Sequence, residues 1–152
     1  MSKFKIYAKS ILIPIIIGGL VGWIISGPMD YDVLKQPPLA PPGIVFPIVW
    51  TILYILMGVS YGLLESKNLV DSGINTIYYW QLFVNALWSI IFFVFKWRFF
   101  AFLWILLLAV LVIIMIARFY EKDKTAGLLQ IPYILWVLFA TYLNFGTYLL
   151  NK

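Results

Sequence analysis

Residues 36–65 read QPPLAPPGIVFPIVWTILYILMGVSYGLLE, joining a proline-rich segment to a long apolar run. The four prolines between 37 and 42 fix the backbone φ angle and lack an N–H donor, so this segment predicts a stiff, extended loop. Pro47 suits the first turn of a helix. Spacings of four, three and four then place four residues on one helix face: Trp50, Tyr54, Met57 and Tyr61. The stretch predicts a rigid cap leading into a helix whose aromatic stripe suits a ligand wall.

The composition predicts a membrane protein. Of the 152 residues, 64% are hydrophobic and 11% are charged, with a mean hydropathy of +0.99. Soluble domains carry about 25% charged residues. A chain this apolar needs lipid around it, and its length suits one compact domain covering residues 1–152.

The apolar runs predict an all-α integral membrane protein, a bundle of five transmembrane helices with a proline-rich loop capping one end. Each run is near the ~20 residues that cross a bilayer. A basic start before the first run also fits a signal peptide, but the run is long and we keep it as a helix. The expected spans are about 6–26, 46–64, 76–95, 99–119 and 126–150, with the cap loop at 27–45.

Small residues four apart predict close helix packing in two spans. One row is Gly18, Gly22 and Ser26, and the other is Gly58 and Gly62. The fourth span has no polar residue before Arg118, so we expect it to face lipid as a scaffold.

Residue types that are missing from the sequence limit the chemistry. There is no cysteine and no histidine, which excludes disulfides, thiolate metal sites and catalysis by Ser-His or Cys-His pairs. We therefore expect no metal and no cofactor.

The net charge of +5 comes from residues scattered among connectors, which argues against nucleic acid. Basic residues favour a cytoplasmic N-terminus by seven to four, with the cap outside and the protein multi-pass in a bacterial cell membrane.

The spans carry no ionisable residue except near their ends, which argues against an ion pump. Amides and hydroxyls such as Gln81, Asn85 and Ser89 either hold helices together or orient a ligand. Spans two, three and five each combine an aromatic residue with a polar group on one stripe. A flat, conjugated ligand would stack on Trp50, Tyr54, Trp88 and Trp136. The other tryptophans are interpreted as packing residues or interface anchors: Trp23, Trp80, Trp97 and Trp104.

Three blocks resemble the translocator protein family, also called tryptophan-rich sensory proteins or peripheral-type benzodiazepine receptors: PPLAPPGIVFPIVWTILYILMG, WQLFVNALWSIIFF and PYILWVLFATYLN. The resemblance implies a bacterial member of a five-helix family that binds porphyrins such as protoporphyrin and isoquinoline or benzodiazepine drugs. It implies a pocket under the first loop, lined by Tyr31, Pro41, Trp50, Asn85, Trp88, Trp136, Ala140 and Leu143. The aromatic stripe adds Tyr54 to this set.

Two details of the cap depart from the family pattern. A basic residue usually stands directly before the cap prolines, whereas this chain has Lys35-Gln36-Pro37. Where the family usually has a pair of aromatic residues, this chain has Met29-Asp30-Tyr31, so Tyr31 is the one aromatic residue of that segment. We expect Tyr31 to reach down to a ligand with its ring and hydroxyl.

Three functions follow as hypotheses. The first is a membrane receptor or carrier for porphyrin-like and drug-like ligands, with a role in tetrapyrrole regulation or transport. The second is light-dependent porphyrin degradation, in which Trp50 and Trp136 would be the catalytic residues. The third is a structural membrane protein that acts through partners. Leu143, Tyr148 and Lys152 match only a loose sterol pattern, so a sterol is not expected, and a homodimer is left open.

Overall fold

The computed structural model describes residues 2–152, and within that range the regular structure is entirely helical. Five helical segments are long and apolar enough to cross a membrane, which confirms the predicted fold class. The third helix continues as a π-helix over Ile90–Phe95. The α-helices are α1 Lys3–Ser26, α2 Val45–Ser66, α3 Ser72–Ser89, α4 Arg98–Lys122, α5 Lys124–Leu128 and α6 Ile131–Asn151.

Short polar side chains fix where three helices begin. Ser2 accepts a hydrogen bond from the Lys5 amide at 3.3 Å and caps α1. Asp71 accepts from the Ile74 amide at 2.9 Å and caps α3. Asp123 does the same for α5. Each cap satisfies a backbone donor that the helix itself leaves free, so the sequence sets these boundaries locally.

Glycines bring α1 and α2 into close contact at the end opposite the cap. A Cβ at Gly58 would collide with the backbone of Ile11, and one at Gly62 would press on Tyr7. The predicted packing role of this pair is confirmed. The row of small residues on α1 is not in close contact along its whole length. Gly18 packs against the Tyr54 ring, whereas a Cβ added at Gly22 would meet no atom within 4 Å. The prediction of close packing was therefore wrong for Gly22.

The fourth span is more than a lipid-facing scaffold. α4 packs between α3 and α6, and its inner stripe is fully buried, including Ile105, Leu108 and Val112. The indole N–H of Trp104 donates to the carbonyl of Val84 on α3 at 2.8 Å, which confirms its packing role. The outer face of α4 is exposed, as the apolar sequence predicts. An apolar sequence alone did not show that one stripe would be enclosed.

Two backbone irregularities shape the third and fifth spans. The π-helix ends at Phe95, and the next residue, Lys96, has a φ of 59° and a ψ of 28° that turn the chain sharply into α4. The fifth span is divided at Leu129 and Gln130, between α5 and α6. Pro132 lies in the first turn of α6, where the missing N–H costs no helical hydrogen bond.

The proline-rich loop covers one end of the bundle and is joined to α6. The hydroxyl of Tyr142 donates to the carbonyl of Pro38 at 2.6 Å. The side chain of Asn151 bonds both the amide and the carbonyl of Lys35, at 3.0 and 2.8 Å. At the opposite end, ion pairs of 2.6 Å between Lys67 and Asp123 and 2.8 Å between Lys122 and Asp71 link the connectors.

Candidate functional site

The main candidate site is a cavity of about 510 Å³ between α1, α2 and the end of α3 with its π-helix. Its aromatic wall contains Trp50 and Tyr54 from α2 and Trp88 from α3. Phe46 lines the end nearest the cap, and Phe93 comes from the π-helix. These side chains meet because the α2 stripe repeats every three or four residues and faces the bundle interior.

The fourth wall is α1, which sequence reasoning did not assign to the site. Gly18, Gly19 and Gly22 line the cavity. Gly19 and Gly22 are also exposed and have no atom within 4 Å where a Cβ would stand. The cavity therefore reaches the outer side of α1, where lipid would lie. The small-residue spacing on α1 was the available signal, but it was interpreted as a helix contact.

Trp50 is the centre of an aromatic cluster. Its ring stacks on Tyr54 with centroids 5.7 Å apart and planes 27° apart. It lies 6.4 Å from Trp88 and 6.4 Å from Trp136, the latter at 87°. Tyr133 is 6.3 Å away, also edge to face. Such offset and edge-to-face pairs are the arrangements aromatic rings prefer. One side chain thus connects the cavity to rings of α2, α3 and α6.

A buried hydrogen-bond network lies behind the cavity wall. The Tyr54 hydroxyl donates to Asn85 Oδ1, Asn85 Nδ2 donates to the Tyr133 hydroxyl, and that hydroxyl donates to Gln81 Oε1, each at 2.7 Å. All four side chains are buried. Because these bonds join α2, α3 and α6, the structure shows Gln81 and Asn85 holding helices together.

Most side-chain donors of the cavity wall are engaged within the protein; the exceptions in the described structure are Trp50 Nε1 and Ser89 Oγ. Trp88 Nε1 donates to Asn144 Oδ1 at 2.9 Å, and Asn144 Nδ2 donates to the carbonyl of Arg98 at 2.8 Å. The Thr51 hydroxyl donates to the carbonyl of Pro47 on its own helix at 2.7 Å. The wall therefore presents mainly ring faces and hydrocarbon to the cavity.

Tyr31 lies in a second layer above the cavity. Its ring packs edge-on against Phe46 with centroids 4.8 Å apart, and its hydroxyl donates to the carbonyl of Pro41 at 2.6 Å. Burial, and secondarily the Asp32 carboxylate, raise the pKa of Tyr31 above its usual 10.0, so the phenol stays a neutral donor. The structure thus places the hydroxyl within the cap, and Phe46 between its ring and the cavity.

An ion pair that the sequence did not reveal fastens the cap to α4. Arg98 Nη2 lies 2.8 and 3.0 Å from the two carboxylate oxygens of Asp30, and Lys96 Nζ is 3.6 Å from one of them. The Arg98 guanidinium also lies 5.1 Å from the centroid of the Phe92 ring. Charge thus holds this part of the cap against the start of α4.

The remaining predicted site residues lie outside the cavity. Trp136 is half-buried behind Trp50 and Phe46, and its indole Nε1 is buried without a partner among the described residues. Ala140 and Leu143 are buried on α6 and do not line the cavity. In total, the structure brings Trp50, Tyr54 and Trp88 to the cavity and places the others around it: Tyr31, Pro41, Asn85, Trp136, Ala140 and Leu143.

The other tryptophans lie away from the cavity. Trp23, Trp80 and Trp97 are exposed on the outside of the bundle. Over residues 2–152, no group of three histidine, cysteine, aspartate or glutamate residues is placed to hold a metal ion. The aromatic and aliphatic side chains of the cavity wall offer a ligand stacking and apolar contact.

Comparison with known proteins gives consistent matches over most of the chain. The model of the TspO/MBR family matches residues 10–149. The tryptophan-rich protein TspO of Archaeoglobus fulgidus is 39% identical over 122 residues, covering 80% of this chain and 79% of that protein. Protein CrtK of Rhodobacter capsulatus is 37% identical, covering 88% and 85%. The translocator protein homolog of Schizosaccharomyces pombe is 32% identical, covering 92% and 88%.

Proposed function

Because this chain belongs to the TspO/MBR family, we propose that it is a membrane receptor or carrier that binds flat, porphyrin-like ligands between its helices, with a role in tetrapyrrole regulation or transport. Drug-like apolar molecules of similar shape are expected to bind at the same place. The observation that carries the proposal is the cavity of about 510 Å³ beside Trp50, Tyr54 and Trp88.

The size and the lining of this cavity support the proposal. Small-molecule sites are usually about 300–1,000 Å³ and mostly apolar and aromatic. A conjugated macrocycle gains from stacking on the Trp50 and Trp88 faces, and it can extend past Gly19 and Gly22 because α1 leaves that side open. The opening also offers a route from lipid, in which apolar ligands dissolve.

Trp136 provides a second argument for a ligand in this region. Its buried indole N–H has no partner among the described residues. Leaving a buried donor unsatisfied costs about 1–3 kcal/mol. A ligand acceptor, such as a carboxylate of a porphyrin, would remove that cost if the ring of Trp50 shifted to admit it. We therefore keep Trp136 in the proposed site, although it does not line the cavity in this structure.

Quenching of tryptophan fluorescence by protoporphyrin, titrated into purified protein in detergent, tests the proposal. Trp50→Ala removes the central stack and is expected to weaken binding by about 0.5–1.5 kcal/mol beyond the lost apolar contact. Trp136→Ala is expected to weaken it as well. The matched control is Trp97→Ala, since Trp97 is 58% exposed and lies outside the cavity. Equal affinities in all three variants would show that the site has been placed wrongly.

A second candidate function is light-dependent oxidation of bound porphyrin by dioxygen. It is favoured by the rings of Tyr54, Trp88 and Trp136, which all lie within 6.4 Å of the Trp50 ring, centroid to centroid. An excited porphyrin would take an electron from Trp50 and pass it to dioxygen, which becomes superoxide. The oxidised Trp50 would then recover an electron from the porphyrin, and the porphyrin cation radical would combine with superoxide to give the oxygenated product. If this function holds, illumination of the protein with protoporphyrin in air is expected to yield a new absorbing product. We expect that product to be lost under argon and in Trp50→Phe.

The same experiment separates the three functional hypotheses. Quenching without a new product supports a receptor or carrier. A product that depends on Trp50 or Trp136 supports degradation. Absence of binding by the folded protein would favour a structural protein that acts through partners.

A further inference from the structure

A second cavity, of about 390 Å³, lies at the capped end of the bundle, where α4 begins and α6 ends. Residues 96–100 form one side of it, and Tyr148, Asn151 and Lys152 form the other. It shares no lining residue with the larger cavity. It is therefore a separate feature, which the proposed function does not use.

Positive charge is concentrated around this cavity. Lys96, Arg98 and Lys152 line it, and Lys35 lies beside it because its backbone bonds the side chain of Asn151. The one carboxylate side chain paired with these cations in the described structure is that of Asp30, and Arg98 holds both of its oxygens. Lys96 is farther from Asp30, at 3.6 Å, and its side chain is 46% exposed. Its ammonium therefore has donors left for another anion.

The backbone adds to this positive field. Lys96 adopts the left-handed conformation, and the chain turns there directly into α4. No side chain caps the start of α4, and its first turn contains no acidic residue. The free N–H groups and the positive end of the helix dipole supplement the three basic side chains.

The walls of the cavity are suited to the boundary between headgroups and hydrocarbon. Trp97 and Tyr148 are of the residue types that concentrate at that boundary. Phe99 and Phe100 also line the cavity, and both are exposed, as is Leu103 farther along α4. A basic recess thus continues into an apolar helix face, which is the pattern an amphiphile with an anionic head requires.

We propose that this cavity binds the headgroup of an anionic phospholipid. The lipid phosphate lies against Lys96, Lys152 and the start of α4, and the acyl chains follow the exposed face of α4. We commit to a membrane lipid over free phosphate because the cavity continues into the exposed apolar side chains of Phe99 and Phe100, which acyl chains can cover and phosphate cannot. The site does not depend on porphyrin binding.

Native mass spectrometry of the detergent-purified protein tests this proposal with two lipids that have the same acyl chains. Dioleoyl phosphatidylglycerol is expected to occupy one site about tenfold or more in preference to dioleoyl phosphatidylcholine. Each lysine near a membrane anion changes affinity by about fivefold. Lys96→Gln/Lys152→Gln is therefore expected to remove most of the preference, and Lys152→Gln alone, at the end of α6, about half of it on a logarithmic scale.

The matched control is Lys3→Gln/Lys5→Gln, which removes two exposed charges from the other end of the bundle and is expected to keep the preference. Raising salt from 0.15 to 1 M is expected to weaken it by screening. Equal binding of the two lipids by the wild-type protein would overturn the proposal, as would an unchanged preference in the double lysine variant. Displacement of the lipid by glycerol 3-phosphate at equal concentration would also overturn it, because the ligand would then be a soluble phosphate.

Discussion

The hydroxyl of Tyr54, whose ring forms part of the cavity wall, donates a 2.7 Å hydrogen bond to Asn85 Oδ1 on α3. The bond couples the ligand wall to the interior of the bundle. A double-mutant cycle with Tyr54→Phe and Asn85→Ala is expected to give a coupling free energy of about 0.6–1.7 kcal/mol, the range for such bonds between transmembrane helices. Reversible unfolding in mixed micelles measures it.

A hydrogen bond at the surface provides the control for the loss of a tyrosine hydroxyl. Tyr142→Phe removes a hydroxyl that donates to Pro38 from an exposed position. We expect it to change the unfolding free energy less than Tyr54→Phe does. Additive effects of the Tyr54 and Asn85 substitutions would show that the bond contributes nothing of its own.

The Asp30–Arg98 ion pair is expected to control how often the cap opens. Asp30→Asn removes the carboxylate that Arg98 holds at 2.8 and 3.0 Å. A partly exposed pair of this kind contributes up to about 1 kcal/mol, so trypsin cleavage at the exposed Lys35 should accelerate by up to about fivefold. Asp32→Asn, two residues along the loop, removes the same charge without touching Arg98 and should leave the rate near that of the wild type.

Bound ligand should have the opposite effect on the cap. Four prolines between 37 and 42 already have fixed φ values, so closing the loop over a ligand loses little entropy. Protoporphyrin is expected to slow cleavage at Lys35 and to leave cleavage at Lys67, in a turn at the other end of α2, unchanged. Equal protection at both sites would indicate global stabilisation, and protection at neither would mean that the loop is only a linker.

Gly22 provides a test of the open side of the cavity. It lines the cavity and has nothing within 4 Å where a side chain would begin, so Gly22→Leu is expected to fold and to fill part of the ligand space. Even one additional methylene group that clashes with a ligand in an apolar pocket lowers affinity by about tenfold or more. Gly27→Leu adds the same side chain in open space just beyond α1, outside the cavity lining. Unaltered porphyrin affinity in Gly22→Leu would place the ligand elsewhere.

Acid should destabilise the end of the bundle opposite the cap. The hydrogen bond from Lys122, followed by that from the Ile74 amide, lowers the pKa of Asp71 below its usual 3.8. A carboxyl with a lowered pKa stabilises the fold above pH 3.8, and that contribution disappears as the pH falls through the native value. Asp71→Asn keeps an N-cap but loses the charge, so its unfolding temperature should fall less steeply than that of the wild type below this pH. Lys122→Gln should flatten the profile in the same way, and a wild-type slope in both variants would contradict the assignment.

Sequence periodicity predicted which faces of the helices point inward, and the structure places Trp50, Tyr54 and Trp88 accordingly. Periodicity cannot give the partner of a buried group, because the partner comes from a distant part of the chain. Spacing left open whether Asn85 joins helices or orients a ligand, and the family resemblance favoured the ligand. The structure pairs Asn85 with Tyr54 and Tyr133. The glycines of α1 show the same limit, since one spacing produces a contact at Gly18 and a cavity wall at Gly22.

The sequence also did not reveal the π-helix of the third span, for a related reason. The residues of the π-helix over Ile90–Phe95 are as apolar as those of an ordinary span, so hydropathy does not distinguish it. The Asp30–Arg98 ion pair also joins residues far apart in the chain. The charge of Asp30 was visible in the sequence, but its partner was not.

The internal hydrogen bonds of the cavity wall have a consequence for selectivity. The side-chain donors of Tyr54, Thr51 and Trp88 already form hydrogen bonds to other protein groups. A bound molecule is therefore held more by the shape of the cavity and by its ring faces than by directed polar contacts. Enzymes and receptors discriminate strongly between close analogues when a buried polar group would be left unpaired by the wrong one, and only weakly when contact is apolar. This cavity should therefore tolerate changes of substituent, metal content or charge at the edge of a flat ligand, and reject ligands mainly for being too thick. Broad recognition follows because the side-chain donors of the wall, apart from Trp50 Nε1 and Ser89 Oγ, are bonded within the described structure.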